Sequence, residues 1–185
     1  MNALVTPPPA SWSSPQRAAV WAALSAISDP EIPVISLAEL GILREVHVAE
    51  DGVTEVVITP TYSGCPAMGQ IEDDVRATLE AMGITARVIT RLAPAWTTDW
   101  MSDEAKEKLR AYGIAPPTRA SAGTGCAPRP QALKFSRRQR VVDTVPCPRC
   151  ASTQTTEITA FGSTACKAQY RCLSCMEPFD YFKPY

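Results

Sequence analysis

The 185-residue sequence contains a single histidine, His47. It therefore lacks the paired Glu-x-x-His helices that build a di-iron carboxylate site in a helix bundle. It also contains no G-x-G-x-x-G fingerprint for a dinucleotide. These absences exclude the usual sequence signatures of an oxygen-activating di-iron enzyme and of a nicotinamide-dependent reductase.

Long hydrophobic runs are also missing, because no apolar stretch approaches the ~20 residues that span a bilayer. The first residues, "MNALVTPPPASWSS", have neither a basic start nor an apolar core, so we expect no signal peptide. Seven cysteines without a secretory signal favour reduced thiols and bound metal over disulfides. These features predict a soluble, cytoplasmic protein that does not associate with membranes.

Charge is distributed unevenly along the chain. Residues 1–114 carry 8 basic and 15 acidic side chains, a net −7, whereas residues 115–143 carry 6 basic and 1 acidic, a net +5. Residues 144–185 carry 4 basic and 3 acidic side chains, a net +1. Together with the local composition, these differences predict a modular chain. We expect a disordered arm over 1–13, an acidic domain over 14–114, a basic flexible linker over 115–143 and a small cysteine-rich unit over 144–185.

Hydrophobic periodicity predicts an α+β fold for the acidic domain. "SSPQRAAVWAALSAI" and "CPAMGQIEDDVRATLEAMG" have apolar stripes at helical spacing. "GILREVHV" and "GVTEVVIT" flank "AEDG", which predicts a hairpin, and "TARVITRL" follows as a third strand. "MSDEAKEKLRAYG" is a short helix with Ser102 as N-cap and Gly113 as C-cap. The predicted order is α-β-β-α-β-α with a three-stranded sheet, followed by a small β-rich metal ribbon.

The ribbon prediction depends on four cysteines, in "CPRC" (Cys147 and Cys150) and "CLSC" (Cys172 and Cys175). Two such pairs can surround one metal ion tetrahedrally, since each pair supplies two ligands from one turn. Zinc is the default metal, although four thiolates also suit iron or an iron–sulfur cluster. Cys166 is either a buried thiol or a substitute ligand. The neighbouring "KFSRRQR" is basic, but the ribbon is nearly neutral and the pI is about 5.9, so we do not expect nucleic-acid binding.

Cys65 stands apart from the ribbon, between a strand and a helix. If the helix begins at Pro66, Cys65 is its N-cap, where free N–H groups and the helix dipole lower the pKa of a thiol. Such a thiolate suits a nucleophile or a transient metal ligand. A small buried thiol is an equally good interpretation. A thiol enzyme would need a base, and His47 on a strand is a weak candidate.

Asp29 and Glu31 lie in "SDPEIP", a loop held by two prolines. Their carboxylates could join a thiolate as hard ligands or as proton acceptors. They could equally form a turn that ends the first helix.

These motifs resemble two known families. "DPEIPVISLAELGILREV", "VVITPTYSGCPAM" and "RLAPAWTTDWMSDEAKEKLRAYGIAPP" resemble the domain shared by SufT-like iron–sulfur assembly proteins. With "CPRC" and "FGSTACKAQYRCLSCMEPFDYFK" added, the chain from about residue 15 to residue 183 resembles the PaaD family, whose members belong to the phenylacetyl-CoA epoxidase system.

The resemblance implies a place in aerobic phenylacetate degradation, in a multicomponent monooxygenase that converts phenylacetyl-CoA to its ring-1,2-epoxide. It implies an accessory role in maturation of the oxygenase or reductase, with those subunits as partners and no catalysis by this chain. The family's cysteine in its T-x-x-x-C-P motif falls on Cys65, its acidic loop on Asp29 and Glu31, and its ribbon ligands on the four paired cysteines. Iron or an iron–sulfur cluster would then bind transiently at Cys65. The alternative is a stoichiometric structural subunit in which Cys65 is merely buried.

Overall fold

The computed structural model describes residues 14–118 and 144–185. The predicted arm, and residues 119–143 of the predicted linker, lie outside these ranges. The N-terminal domain has the predicted α-β-β-α-β-α order. Its elements are α1 (Ser14–Ser25), β1 (Leu43–Val48), β2 (Thr54–Ile58), α2 (Met68–Ala81), β3 (Ala86–Thr90), a 3₁₀ turn (Thr98–Trp100) and α3 (Asp103–Tyr112).

The N-terminal sheet has three strands in the order β1-β2-β3. β1 and β2 form the predicted antiparallel hairpin, with Val46 opposite Val56. β2 and β3 are parallel, and α2 is the crossover between them. Because a parallel connection requires such a crossover, α2 is packed onto the sheet. The segment that carries Cys65 therefore lies between the end of β2 and the start of α2.

The apolar stripes of α1 and α2 form much of the core, as the sequence predicted. Val20 and Leu24 of α1 are fully buried, and so are three residues of α2, Ile71, Val75 and Leu79. Met82, at the end of the predicted stripe, is 38% exposed because α2 ends at Ala81. The caps of α3 are also confirmed. Ser102 Oγ accepts a hydrogen bond from the Ala105 N–H at 3.0 Å, and Gly113 closes the helix with φ +98°.

A second sheet has the order β4-β7-β6-β5, with β4 at Ile114–Ala115, β5 at Thr155–Thr159, β6 at Lys167–Cys172 and β7 at Pro178–Phe182. β4 follows α3 directly and pairs in parallel with β7, with Ala115 opposite Tyr181. The N-terminal domain thus supplies one edge strand of the ribbon's sheet. Ala115, where the predicted linker begins, is a fully buried member of that strand.

The ribbon packs onto the N-terminal domain. Phe182 and Cys166 belong to the same buried cluster as the core of that domain. Trp96 contacts both Phe182 and Tyr185, and the Thr98 N–H donates to the Tyr185 carbonyl at 3.3 Å. Across the two described ranges, no helix has the length and apolar character needed to cross a membrane.

Candidate metal centre and interdomain thiol site

The four paired cysteines of the ribbon converge at one point. The sulfur atoms of Cys147, Cys150, Cys172 and Cys175 all lie within 4.8 Å of one another. Cys147 Sγ is 3.8 Å from Cys175 Sγ, and Cys150 Sγ is 3.5 Å from Cys172 Sγ. Two of the cysteines are buried and two are exposed, so the cluster lies at the edge of the ribbon. Cys166 is not part of this group.

Local backbone turns aim these thiols inward. The Ala151 N–H donates to the Cys147 carbonyl at 2.9 Å, and Ala151 takes a positive φ of 59° to close the first turn. In the second turn, the N–H groups of Ser174 and Cys175 point at Cys172 Sγ, at 3.4 and 3.5 Å. These bonds, that from Cys175 first, lower the pKa of Cys172 to about 6. The pKa of Cys150 is raised to about 12 and that of Cys175 is also raised, since hydrogen bonds to Cys172 hold their protons in place. Of these three thiols, Cys172 alone is therefore favoured to lose its proton before an ion binds.

The donor set suits a metal ion with a preference for sulfur. Four thiols within 4.8 Å of one another match the ligand set of structural Cys₄ zinc sites, and the same set can hold iron. The small core of the ribbon consists of Ala115, Val145, Cys147, Ala168, Cys172, Phe179 and Tyr181. Since that core includes two of the ligands, metal binding would stabilise the ribbon directly.

The aromatic residues near the C-terminus are buried. Phe179 and Tyr181 are each 5% exposed and lie in the ribbon core, beside Tyr170. Phe182 is 1% exposed and packs into the core of the N-terminal domain. None of the three is available as a docking surface for another protein, so their role is to hold the ribbon together and in place.

Cys65 lies in a pair of consecutive turns rather than at a helix N-cap. Its N–H donates to the Tyr62 carbonyl at 3.2 Å, and its carbonyl accepts from the Met68 N–H at 3.4 Å. α2 begins at Met68 with Ala67 as N-cap, so the predicted N-cap position of Cys65 is wrong. The turns form because each closes a hydrogen bond between residues three apart before the helix starts.

The environment of Cys65 also differs from the predicted one. Burial is the largest influence and raises the pKa of the half-buried Cys65 thiol, against a backbone hydrogen bond from Ala67 that lowers it. Negative charge on Glu31, Cys166 and Asp29 raises the pKa further. The prediction of a lowered pKa is therefore wrong. A cation bound at Cys65 would lower the pKa of this thiol. Without a cation, the thiol is protonated at neutral pH.

Asp29 has a structural role in its loop. Its Oδ1 accepts hydrogen bonds from the Glu31 N–H at 2.9 Å and the Ile32 N–H at 2.8 Å. The side chain is only 7% exposed, and burial raises the pKa of its carboxyl against these two bonds and the charge of Lys167. Asp29 therefore forms the turn that follows α1. Its negative charge is a minor influence on the Cys65 thiol, and its role as a ligand stays a prediction.

His47 is engaged elsewhere. Its Nε2 lies 3.1 Å from Glu55 Oε2, its partner across the β1–β2 hairpin. Glu55 is near the N-terminal end of β2, whereas Cys65 follows the C-terminal end of that strand. The structure therefore does not pair His47 with Cys65 as a catalytic base.

Two ribbon residues influence the region of Cys65 and Asp29, and the sequence patterns did not predict this influence. Cys166 and Lys167 are 6% and 5% exposed, and both act electrostatically on Asp29 or Cys65. Cys166 is separated from Cys65 along the chain by most of two domains and the linker, so no spacing pattern could indicate that they are neighbours. The alternation of β6 alone would have predicted only that Cys166 faces inward.

Comparison with known proteins gives two family matches. Residues 17–88 match the family described as iron-sulfur cluster assembly protein, and residues 132–183 match the family described as PaaD zinc beta ribbon domain. The first match covers the N-terminal domain from α1 into β3 but not α3, and the second covers the ribbon.

One relative spans nearly the whole chain, and two others span about half of it. A protein of Escherichia coli (strain K12), named as a 1,2-phenylacetyl-CoA epoxidase subunit, is 48% identical over 170 residues, 91% of this chain and 93% of the relative. An Fe-S protein maturation auxiliary factor of Porphyromonas gingivalis (strain ATCC BAA-308 / W83) is 38% identical, over 46% of this chain and 83% of the relative. A factor of the same description from Bacillus subtilis (strain 168) is 34% identical, over 49% and 89%.

Proposed function

Because this chain belongs to the PaaD family of 1,2-phenylacetyl-CoA epoxidase subunits, we propose that it is an accessory factor that loads iron or an iron–sulfur cluster into another component of that enzyme system. The client would be the oxygenase or the reductase. The chain itself would not catalyse epoxidation in phenylacetate catabolism. Reduced thiols are required for this role, which suits a cytoplasmic location.

One observation carries the proposal. The negative charges of Glu31 and Asp29 act on the half-buried Cys65 thiol and raise its pKa, and all three residues lie in the part of the chain that matches the iron-sulfur cluster assembly family. The thiol is a soft donor and the two carboxylates are hard donors. Among the described residues only the ribbon cysteines already form a group of three or more potential ligands, so cargo binding would have to draw Cys65 and the two acids together. Burial and like charge keep the empty thiol protonated, so it binds its cargo only when a cation replaces the proton. Such a site can hold an ion briefly and release it.

The ribbon would hold a zinc ion of its own. Four cysteines in a closed cluster leave no open position for a reacting group, which is the arrangement of structural zinc sites. Iron or an iron–sulfur cluster is the alternative occupant of the same thiols. In either case this ion would stabilise the ribbon and would not be the ion that is transferred.

The experiment is client loading by a Cys65→Ser variant. The oxygenase and reductase subunits would be produced with wild-type protein, with Cys65→Ser, or with Cys126→Ser as a matched control. We expect client iron content and epoxidation of phenylacetyl-CoA to fall with Cys65→Ser and to stay at the wild-type level with Cys126→Ser. Full iron content in clients matured with Cys65→Ser would contradict the proposal.

The second candidate is a structural subunit of the oxygenase assembly, which the word "subunit" in the name of the Escherichia coli relative favours. It predicts that the chain purifies with the active enzyme at a fixed ratio. Epoxidase activity from metal-loaded subunits without this chain would exclude it.

A further inference from the structure

We propose that the cavity between the end of α3 and the first cysteine turn of the ribbon (residues 147–150) binds a carboxylate group, with Arg149 as its main contact. The cavity contains neither Cys65 nor the acidic loop, so this inference goes beyond the proposed function and does not depend on it. A small carboxylic acid and an acidic side chain of another protein present the same group, and the experiment below distinguishes them.

Both domains build the cavity. Its volume is about 380 Å³, within the range of about 300–1,000 Å³ that is typical of small-molecule sites. One wall belongs to α3 and the glycine that closes it, and the other belongs to the turn between the first two ribbon cysteines. The lining residues are Glu107, Arg110, Ala111, Gly113, Pro148 and Arg149. A ligand in this cavity would therefore contact the N-terminal domain and the turn of the metal centre at once.

Arg149 has donors available for such a ligand. Its side chain is exposed and forms no ion pair or hydrogen bond with any other residue that the structure describes. A Cβ atom on Gly113 would lie 3.5 Å from Arg149 Nη2, so the guanidinium lies at the C-terminal end of α3. The helix dipole attracts a cation at that end. The helix thus holds Arg149 in the cavity without using its N–H groups.

Arg110 supplies a second guanidinium on the opposite wall. Its Nη1 donates to Glu107 Oε1 at 2.6 Å, within the same helix. The two side chains are 50% and 69% exposed, and exposed ion pairs at this spacing contribute little to stability. A ligand can therefore compete with Glu107 for the N–H groups of Arg110.

The charge of the cavity favours one carboxylate. Two arginines and one glutamate give its lining residues a net charge of +1, which a single carboxylate balances. A guanidinium can donate two parallel N–H bonds to the two oxygens of a carboxylate. A phosphate dianion would instead leave excess negative charge beside Glu107. The shape and the charge of the site thus indicate the same class of ligand.

The experiment uses the full-length protein with zinc in its ribbon and follows the binding of butyrate by NMR at constant ionic strength. We expect saturable shifts of the Gly113 amide and Arg149 side-chain signals, and none with the neutral analogue butyramide. Arg149→Gln should weaken butyrate binding about tenfold, because it removes charge-assisted hydrogen bonds. Arg171→Gln is the matched control, since Arg171 is also an exposed ribbon arginine but does not line the cavity. It should bind butyrate as the wild type does, and equal affinities for Arg149→Gln and the wild type would refute the proposal.

A second pair of variants covers the case in which Arg149→Gln loses its zinc. Ala111 is an exposed position of α3 that lines the cavity, and glutamate and glutamine are both good helix formers. Ala111→Glu places a carboxylate inside the cavity and should abolish butyrate binding. Ala111→Gln adds a side chain of nearly the same size without charge and should weaken binding less. Wild-type affinity in Ala111→Glu would refute the site, with zinc content as the check of the fold.

Other probes identify the source of the carboxylate. N-acetyl-glutamate N-methylamide carries the same group on a peptide backbone. Tighter binding of this peptide than of butyrate would assign the cavity to an acidic side chain of another protein, and tighter binding of butyrate would assign it to a small acid. Inorganic phosphate that bound more tightly than both would contradict a carboxylate site.

Discussion

Trp96 and Phe182 pack against each other across the junction of the two domains, with ring centroids 6.0 Å apart and ring planes inclined by 55°. Trp96 is anchored by a hydrogen bond from its Nε1 to the Leu40 carbonyl at 2.9 Å. Phe182 is the last residue of β7. This contact makes the ribbon part of the N-terminal core, in which Cys166 is also buried.

Removal of the Phe182 ring should destabilise both domains. We expect Phe182→Ala to lower the free energy of unfolding by about 3–5 kcal/mol, since it leaves a cavity in a shared core. Urea unfolding followed by tryptophan fluorescence measures the loss. Leu173→Ala is the control, because Leu173 is 53% exposed, and its effect should stay within about 0.5 kcal/mol. Equal midpoints for the two variants would show that Phe182 does not couple the domains.

Loss of one ribbon ligand should remove the metal of the ribbon. Cys172 is buried, and its sulfur accepts two backbone hydrogen bonds. Cys172→Ser would therefore weaken metal binding and destabilise the turn that Cys172 begins. We expect elemental analysis to find about one zinc ion per chain in the wild type and almost none in the variant. Zinc retained by Cys172→Ser at the wild-type level would contradict a four-cysteine centre. Cys126→Ser should keep its zinc.

Two substitutions of Asp29 separate its structural role from a role as ligand. Asp29→Ala removes the acceptor of two backbone N–H groups and should cost about 1–3 kcal/mol of stability. Asp29→Asn keeps an acceptor oxygen but loses the charge, so its free energy of unfolding should lie within about 1 kcal/mol of the wild-type value. The same variant should bind Co(II), added as a probe of the site at Cys65, more weakly than the wild type. Unchanged Co(II) affinity in Asp29→Asn would restrict Asp29 to the turn.

Alkylation of Cys65 should depend steeply on pH. Burial and neighbouring negative charge raise the pKa of this thiol, so at pH 7 it is protonated and unreactive. We expect the rate of its reaction with iodoacetamide, followed by peptide mass spectrometry on zinc-loaded protein, to rise about tenfold per pH unit from pH 7 to pH 9. A rate that is already constant at pH 7 would indicate a thiolate and would favour a thiol enzyme.

Much of the N-terminal fold was predictable because its signals are local. The stripe of Ile71, Val75 and Leu79 predicts α2, and Ser102 and Gly113 mark the ends of α3. Within one helix, spacing decides which side chains share a face. The four ribbon cysteines were predictable for a similar reason, since each pair lies within a single tight turn.

The surroundings of Cys65 were less predictable. The residues from Thr61 to Ala67 are compatible with either a capped helix or two turns, and the choice depends on packing against the rest of the protein. The pKa of Cys65 follows burial and charges from Glu31 and Cys166, neither of which is adjacent to it in sequence. Ala115 likewise forms a strand because β7 is there to pair with it.

The sequence by itself determined the fold classes of the two units, because hydrophobic periodicity indicates helices and strands. It also determined the four ribbon ligands and set Cys65 apart from them, because the ligands lie in two closely spaced pairs. Only the tertiary structure decided what surrounds that thiol. Docking of the ribbon through Phe182 buries Cys166 in the N-terminal core, where burial and charge act on Cys65 across a separation that no local pattern spans. Contacts between distant segments depend on how completed domains pack, and packing is a property of the whole chain.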